Sequence, residues 1–136
     1  MRFHNLETIT EELLDQFAHW LAQPDGLMRV LGEEGLLKLR LIVHEWVANL
    51  VEHAVFNGKG PEIVLEFETT EPRGVCCRIY DNSLGFDWDR CAQQSAALDD
   101  LEAERGRGLA FIQALSKRVL YQSREGWNCF QVWVEG

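Results

Sequence analysis

Glu45, Asn49 and His53 stand at successive four-residue steps inside the apolar segment His44 to Ala54. At ~100° per residue each step advances ~40° around a helix, so the three side chains fan across ~80°. Leu39, Trp46, Val47, Leu50, Val51 and Ala54 fill another arc of the same helix. The stripe sets a carboxylate beside an amide oxygen on the side away from the core, which suits Mg2+ and a polarised nucleophile. Many surface helices carry Glu, Asn and His on their solvent side without doing chemistry. The stripe gains weight from two glycine-containing turns downstream. One is Asp81-Asn-Ser-Leu-Gly85-Phe-Asp87, after a strand-like run; the other is Gly106-Arg-Gly108-Leu, before a second apolar helix.

These residues need elements to hold them. Arg2 to Glu7 reads as a short edge strand, and Thr10-Glu-Glu-Leu13 as a helix start with Thr10 as N-cap. The helix runs to about Gln23 on an apolar face of Leu13, Leu14, Phe17, Trp20 and Leu21, and Pro24-Asp-Gly26 ends it. Residues 27 to 33 read as a short helix turning at Gly32 and Gly35. The long helix with the polar stripe spans about Glu34 to Val55, closed by Asn57-Gly58-Lys-Gly60-Pro61. Alternation predicts strands over 62 to 69 and 75 to 80, joined by Glu71-Pro-Arg-Gly74, and this hairpin delivers Asp81 to a strand end. From Asp87 to Glu104 the chain is polar and acid-rich, a composition suited to a mobile lid over about 87–106. A helix from about Gly108 to Ser116 follows directly behind the Gly106-Arg107-Gly108 turn. Strands over 118 to 123 and 128 to 135 form a last hairpin. The order predicts one α+β domain over 1–136: a two-layer sandwich with a mixed, mostly antiparallel sheet and helices on one face.

Composition narrows the function. The chain has 136 residues and a net charge of -9, from 22 acids against 13 Lys and Arg. Such a surface repels a phosphate backbone, which argues against direct nucleic-acid binding and favours a basic protein partner. No apolar run approaches the ~20 residues that span a bilayer, and acids interrupt the N-terminus early, so a soluble cytoplasmic protein is expected. Cys76, Cys77, Cys91 and Cys129 lack CxxC spacing and read as reduced thiols rather than a zinc site or disulfide scaffold. His44-Glu45 opens like a zinc-protease helix, but that motif needs a second His where Ala48 stands. His44 and His53 lie ~180° apart around the helix and cannot share an ion.

Taken in order, Glu45-xxx-Asn49-xxx-His53, Asp81-xxx-Gly85-Phe-Asp87 and Gly106-Arg-Gly108-Leu resemble the asparagine box and the two glycine boxes of the Bergerat-fold ATPases, shared by histidine kinases, gyrase and MutL. The chain's size, with the forms Glu-x-x-x-Asn-x-x-x-His-Ala and Arg-Gly-Arg-Gly-Leu-x-Phe-Ile, looks most like the bacterial anti-sigma factor serine/threonine kinases of the partner-switching type. The resemblance covers nearly the whole chain.

It implies ATP and Mg2+ as ligands. Asn49 would hold Mg2+ through its amide oxygen, Glu45 would be the general base, and His53 a positioning residue at the nucleotide. Asp81 would accept from the adenine amino group, which guanine lacks at that place. Gly85 would let the backbone pass close to the base, Phe86 would wall the pocket, and Asn128 would add an adenine-side contact. Gly106 and Gly108, followed by Leu109, would offer backbone N–H groups to phosphate at a helix N-terminus. Arg105 and Arg107 would supply cationic donors, one of them, for which Arg105 is chosen, at the γ-phosphate.

The implied activity is serine/threonine phosphorylation of an anti-anti-sigma antagonist of the STAS type by a homodimer that alternately sequesters a sigma factor or comparable regulator. One departure bears on it. Ser83 stands where the family's first glycine is usual, and its Cβ would cost roughly 1 kcal/mol or more in a left-handed conformation, weakening ATP binding. That favours a rival, a nucleotide-binding partner-switch adaptor without kinase activity. A detached histidine-kinase catalytic domain is a third reading, set behind the others because the chain carries no separate dimerisation helix with a phosphoacceptor His and its lid is short.

Overall fold

A computed structural model of the chain describes residues 1–23, 26–56, 58, 60–85 and 100–136, excluding the side chains of 21 and 100–107. The lid expectation for 87–99 therefore lies outside the described residues, as does Phe86. The elements in order are β1 (Arg2–Phe3), α1 (Ile9–Leu21), α2 (Leu27–His53), β2 (Ile63–Thr70), β3 (Gly74–Asp81), α3 (Asp100–Leu115), β4 (Arg118–Arg124) and β5 (Trp127–Glu135).

The five strands form one sheet in the order β1-β2-β3-β5-β4, with every pairing antiparallel. The α+β sandwich expected from the sequence is observed, and the sheet is antiparallel throughout rather than mixed. Alternation is strict along β5, where Asn128, Phe130, Val132 and Val134 are buried and the residues between them half-buried, whereas β3 starts with four consecutive buried residues. α2 packs on β3 and β5, and α1 and α3 pack against α2.

α2 is seated by Trp46, fully buried and stacked on Phe130 with ring centroids 4.1 Å apart and planes 10° from parallel. Because Trp46 and Leu50 point into the sheet, the Glu45–Asn49–His53 stripe is turned out of the core. The expected break near Gly32 is also present. Gly32 has φ 72 and kinks α2 between its short first part and the long second part. A Cβ there would meet nothing within 4 Å, so the left-handed backbone alone demands glycine.

Two element ends differ from expectation. The N-cap of α1 is Thr8 and not Thr10, which lies inside the helix. Thr8 Oγ1 hydrogen-bonds Glu12 Oε1 at 3.2 Å, one turn on, so a Thr-to-Glu pairing exists but two residues earlier in the chain. The helix carrying the second glycine turn begins at Asp100 and not near Gly108. Leu101, Glu102, Ala103, Glu104 and Arg105 are strong helix formers, and their combined propensity carries the helix through two glycines that each cost about 1 kcal/mol relative to alanine.

Cys76, Cys77 and Cys129 are free thiols, and among the described residues no cluster could hold a metal ion through His, Cys, Asp or Glu. Burial pushes the Cys77 thiol well above its ordinary value, and the neighbouring Cys76 and Cys129 act in the same direction. No described helix is long and apolar enough to cross a membrane.

Candidate functional site

The outward stripe of α2 and the C-terminal half of α3 enclose a cleft of about 550 Å³ lined by His44, Glu45, Ala48, Asn49, Glu52, His53, Gly108, Leu109, Phe111 and Ile112. α3 approaches closely because Gly108 has no side chain: a Cβ there would lie 3.3 Å from Glu45 Oε2. Leu109 and Ile112 are buried anchors that hold α3 on the core, so Leu109 shapes the cleft and also supports it. His53 keeps only 11% of its side chain exposed, with Nε2 at 3.6 Å from Glu52 Oε2.

A second cleft of about 140 Å³ adjoins the first and shares Asn49 and His53 with it. Its other walls are Leu50, Ala54, Val55, Ser83, Leu84 and Gly85, contributed by the end of α2 and the turn after β3. Asn49 and His53 thus stand where the two clefts meet. A long ligand could lie with one end against Glu45 and Gly108 and the other against Ser83 and Gly85.

Beneath that turn lies a buried polar row. Sheet register sets Asp81 of β3 opposite Asn128 of β5, and Asn128 opposite Ser123 of β4. Asp81 is fully buried and Asn128 is 3% exposed, both on the inner face of the sheet. Asp81 Oδ1 accepts hydrogen bonds from the Ser83 backbone N–H at 3.0 Å, the Ser83 hydroxyl at 2.5 Å and Asn128 Nδ2 at 3.0 Å. Asp81 Oδ2 is buried with no partner among the described residues. Leaving a buried acceptor unmatched costs on the order of 1–3 kcal/mol, a cost that a ligand donor would offset.

Gly85 makes the turn possible. Its φ of 78 is left-handed, and a Cβ would lie 2.6 Å from Asn128 Oδ1 and 3.1 Å from the Tyr121 hydroxyl. Gly85→Ala therefore combines backbone strain with displacement of the buried amide. A loss of about 2–3 kcal/mol is expected, read as a fall in Tm of roughly 6–12 °C; an unchanged Tm would show that the turn relaxes freely. Ser83, in contrast, is not among the described non-glycine residues with positive φ, a class containing Glu125 alone. The expected left-handed penalty at Ser83 is absent, and with it the physical reason for weak nucleotide binding. Ser83 is instead held by its hydroxyl, which donates to Asp81 and accepts from the Gly85 N–H at 3.1 Å.

The sequence expectations meet this geometry unevenly. Glu45, Asn49, His53, Gly108 and Leu109 share one cleft, and Asn49, His53 and Gly85 share the other. Asp81 sits under the Ser83–Gly85 end and is sealed from solvent. Asn128 has both ends of its amide engaged within the protein, by Asp81, the Ser83 carbonyl at 2.9 Å and the Ser123 hydroxyl at 2.6 Å. Gly106 and Gly108 lie inside α3 rather than at its N-terminus. Helical N–H groups at these positions point at carbonyls four residues back and are not free donors as expected. The side chains of Arg105 and Arg107 are outside the described residues. The Ser83 hydroxyl, Ser123 and Phe111 were not legible as site residues, since their part depends on how the turn after β3, the last hairpin and α3 are set against Asp81 and α2.

The histidine kinase-like ATPase domain family matches residues 5–133. Among solved structures, the histidine kinase domain of the Erythrobacter litoralis EL346 blue-light activated histidine kinase is similar at 14% identity, with a TM-score of 0.54 over 75% of this chain and 45% of that one. A longer form of that kinase gives 15% identity and a TM-score of 0.54 over 77% of this chain and 31% of that one. The chain thus spans less than half the length of the solved proteins it resembles, and at these identities the likeness is one of fold. No curated protein sequence matches the chain significantly.

Proposed function

The chain belongs to the histidine kinase-like ATPase domain family, and from that premise we propose that it binds ATP with Mg2+ and transfers the γ-phosphoryl group to a serine or threonine of a STAS-type anti-anti-sigma antagonist. In this reading it also sequesters a sigma factor or comparable regulator, acts in the cytoplasm as a homodimer, and binds neither nucleic acid nor membrane.

The observation that carries the reading is the meeting of the two clefts at Asn49 and His53, with Glu45 at one end and the unmatched Asp81 oxygen near the other. The donor set fits the ligand. An amide oxygen supplies one protein ligand of the kind Mg2+ takes while keeping phosphate oxygens and water for its remaining positions. The bound ion would offset the charge that develops on the phosphate oxygens. Glu45 lies one turn from Asn49, close enough to accept the proton of an acceptor hydroxyl as that oxygen bonds the γ-phosphorus and the bridging oxygen leaves with ADP. Asp81 Oδ2 would accept from the adenine amino group once the cover over it yields. Backbone N–H groups of Gly106 and Gly108 reach phosphate only if the turns of α3 before them open. Two glycines make that stretch the weaker part of the helix. Arg105 and Arg107 are proposed as the accompanying cations.

A groove suited to a protein contact adjoins the main cleft across His44, toward the start of the long part of α2. There Leu13, Leu14, Phe17, Leu37 and Leu41 line an apolar groove of about 270 Å³, with Leu37 53% exposed. Either the antagonist, the regulator or a second copy would cover it.

Incubation with γ-labelled ATP, Mg2+ and a candidate STAS-domain antagonist tests the reading. Stoichiometric, acid-stable label on the antagonist is expected, lost with Glu45→Ala and with Asn49→Ala. Acid-labile label would place the acceptor on histidine instead, and ATP binding without any transfer would leave the partner-switch adaptor.

A further inference from the structure

Asp81 Oδ1 receives all three of the hydrogen bonds given to this carboxylate, and Oδ2 receives none among the described residues. A carboxylate bound on one oxygen by three donors cannot turn over without breaking them together. Each donor is itself oriented. The Ser83 hydroxyl accepts from the Gly85 N–H, which leaves its proton directed to Asp81. Asn128 Nδ2 donates both to Asp81 and to the Ser83 carbonyl, while its Oδ1 accepts from the Ser123 hydroxyl. Rotating that amide by half a turn would oppose Asn128 Oδ1 to Asp81 Oδ1 and to the Ser83 carbonyl, acceptor against acceptor. Ser123 on β4 anchors the other end of that amide, two strands away from Asp81.

On the reading of the base pocket given above, we propose that Ser83, Asn128 and Ser123 form a positioning relay. It confines Asp81 to a single free acceptor, Oδ2, and so sets the preference of the pocket for a purine with a 6-amino group over one with a 6-oxo group. A 6-amino group donates to Oδ2. A 6-oxo group would press an acceptor against it, and a carboxylate free to rotate or withdraw would relieve that conflict. The relay thus acts on discrimination more than on affinity, because sugar and phosphate contacts are common to both nucleotides. Asn128 in this account touches Asp81 rather than the base. Its side chain does on the protein side what a direct contact would do on the ligand side.

The test is calorimetric titration of the full chain with ATP and with inosine triphosphate, each with Mg2+, recording the ratio of the two dissociation constants beside Tm. The unsubstituted chain is expected to favour ATP by tenfold or more. Ser83→Ala should reduce that ratio about five- to tenfold, within the range of one ordinary intramolecular hydrogen bond, and Ser83→Thr should restore it. Ser123→Ala, at an exposed position that threatens folding least, should reduce the ratio two- to threefold with Tm nearly unchanged. Equal weakening of both nucleotides in these variants, or an unaltered ratio, overturns the relay if Asp81→Asn still erases the preference. Unaltered ATP affinity in Asp81→Asn overturns the pocket itself, so the two failures are distinguishable.

Discussion

Glu45→Gln is expected to lower phosphoryl transfer by two to four orders of magnitude while leaving the dissociation constant for ATP within about threefold. The substitution keeps the size and hydrogen-bonding reach of the side chain and removes only its capacity to take a proton. Glu45 lies in the larger cleft beside Asn49 and opposite Gly108, which in the proposed reading would set it against the reacting end of the nucleotide. Because a general base acts in the transition state, its loss should appear in kcat and in kcat/KM alike, with little effect on ground-state binding. Single-turnover transfer with labelled ATP, run beside calorimetry, separates the two quantities. A parallel loss of binding and transfer would mean that Glu45 orders the site rather than serving as base.

Asp81→Asn is expected to weaken ATP binding roughly a hundredfold while keeping Tm unchanged or raising it. Both halves follow from one buried carboxylate. Its Oδ1 is matched by three donors and its Oδ2 by none, so the folded protein carries an uncompensated acceptor beneath the Ser83–Gly85 turn. The amide retains the Oδ1 acceptor for the network and replaces the orphaned charged oxygen with a neutral group, which removes the heavier desolvation cost. Toward adenine the same amide sets a donor against a donor. Loss of a bond to a charged group, at about 1.5–3 kcal/mol, together with that opposition gives the predicted change in affinity. A gain in stability with a loss of binding is the signature of a group retained for function. A large fall in Tm would instead assign Asp81 a structural part.

Some of this was legible in the sequence because it depends on neighbours along the chain. Four-residue spacing alone puts Glu45, Asn49 and His53 on one stripe. The strands read over 62 to 69, 75 to 80, 118 to 123 and 128 to 135 form two hairpins, each end within one residue of the observed Ile63–Thr70, Gly74–Asp81, Arg118–Arg124 and Trp127–Glu135. The break at Gly32 was likewise signalled, since only glycine accepts φ 72 without strain. Propensity misled where neighbouring signals competed. Two glycines read as a turn, but the helix formers before them extend α3 back to Asp100. The Thr10 start lost to Thr8 for the same kind of reason, with Ile9 fully buried and drawn into the helix.

What the sequence determined by itself was which polar groups share a helix stripe or a strand end and the elements on which each is mounted, because helical and strand periods fix side-chain direction locally. Tertiary structure alone decided which of those groups line a cleft and which face one another. The strand order β1-β2-β3-β5-β4 brings Ser123, Asn128 and Asp81 into one row across three strands. Asn128 and Asp81 are 47 residues apart in the chain. No local pattern records a cross-strand register, so Asn128 reads in the sequence as a contact for the base and becomes, in the folded protein, a partner of the aspartate.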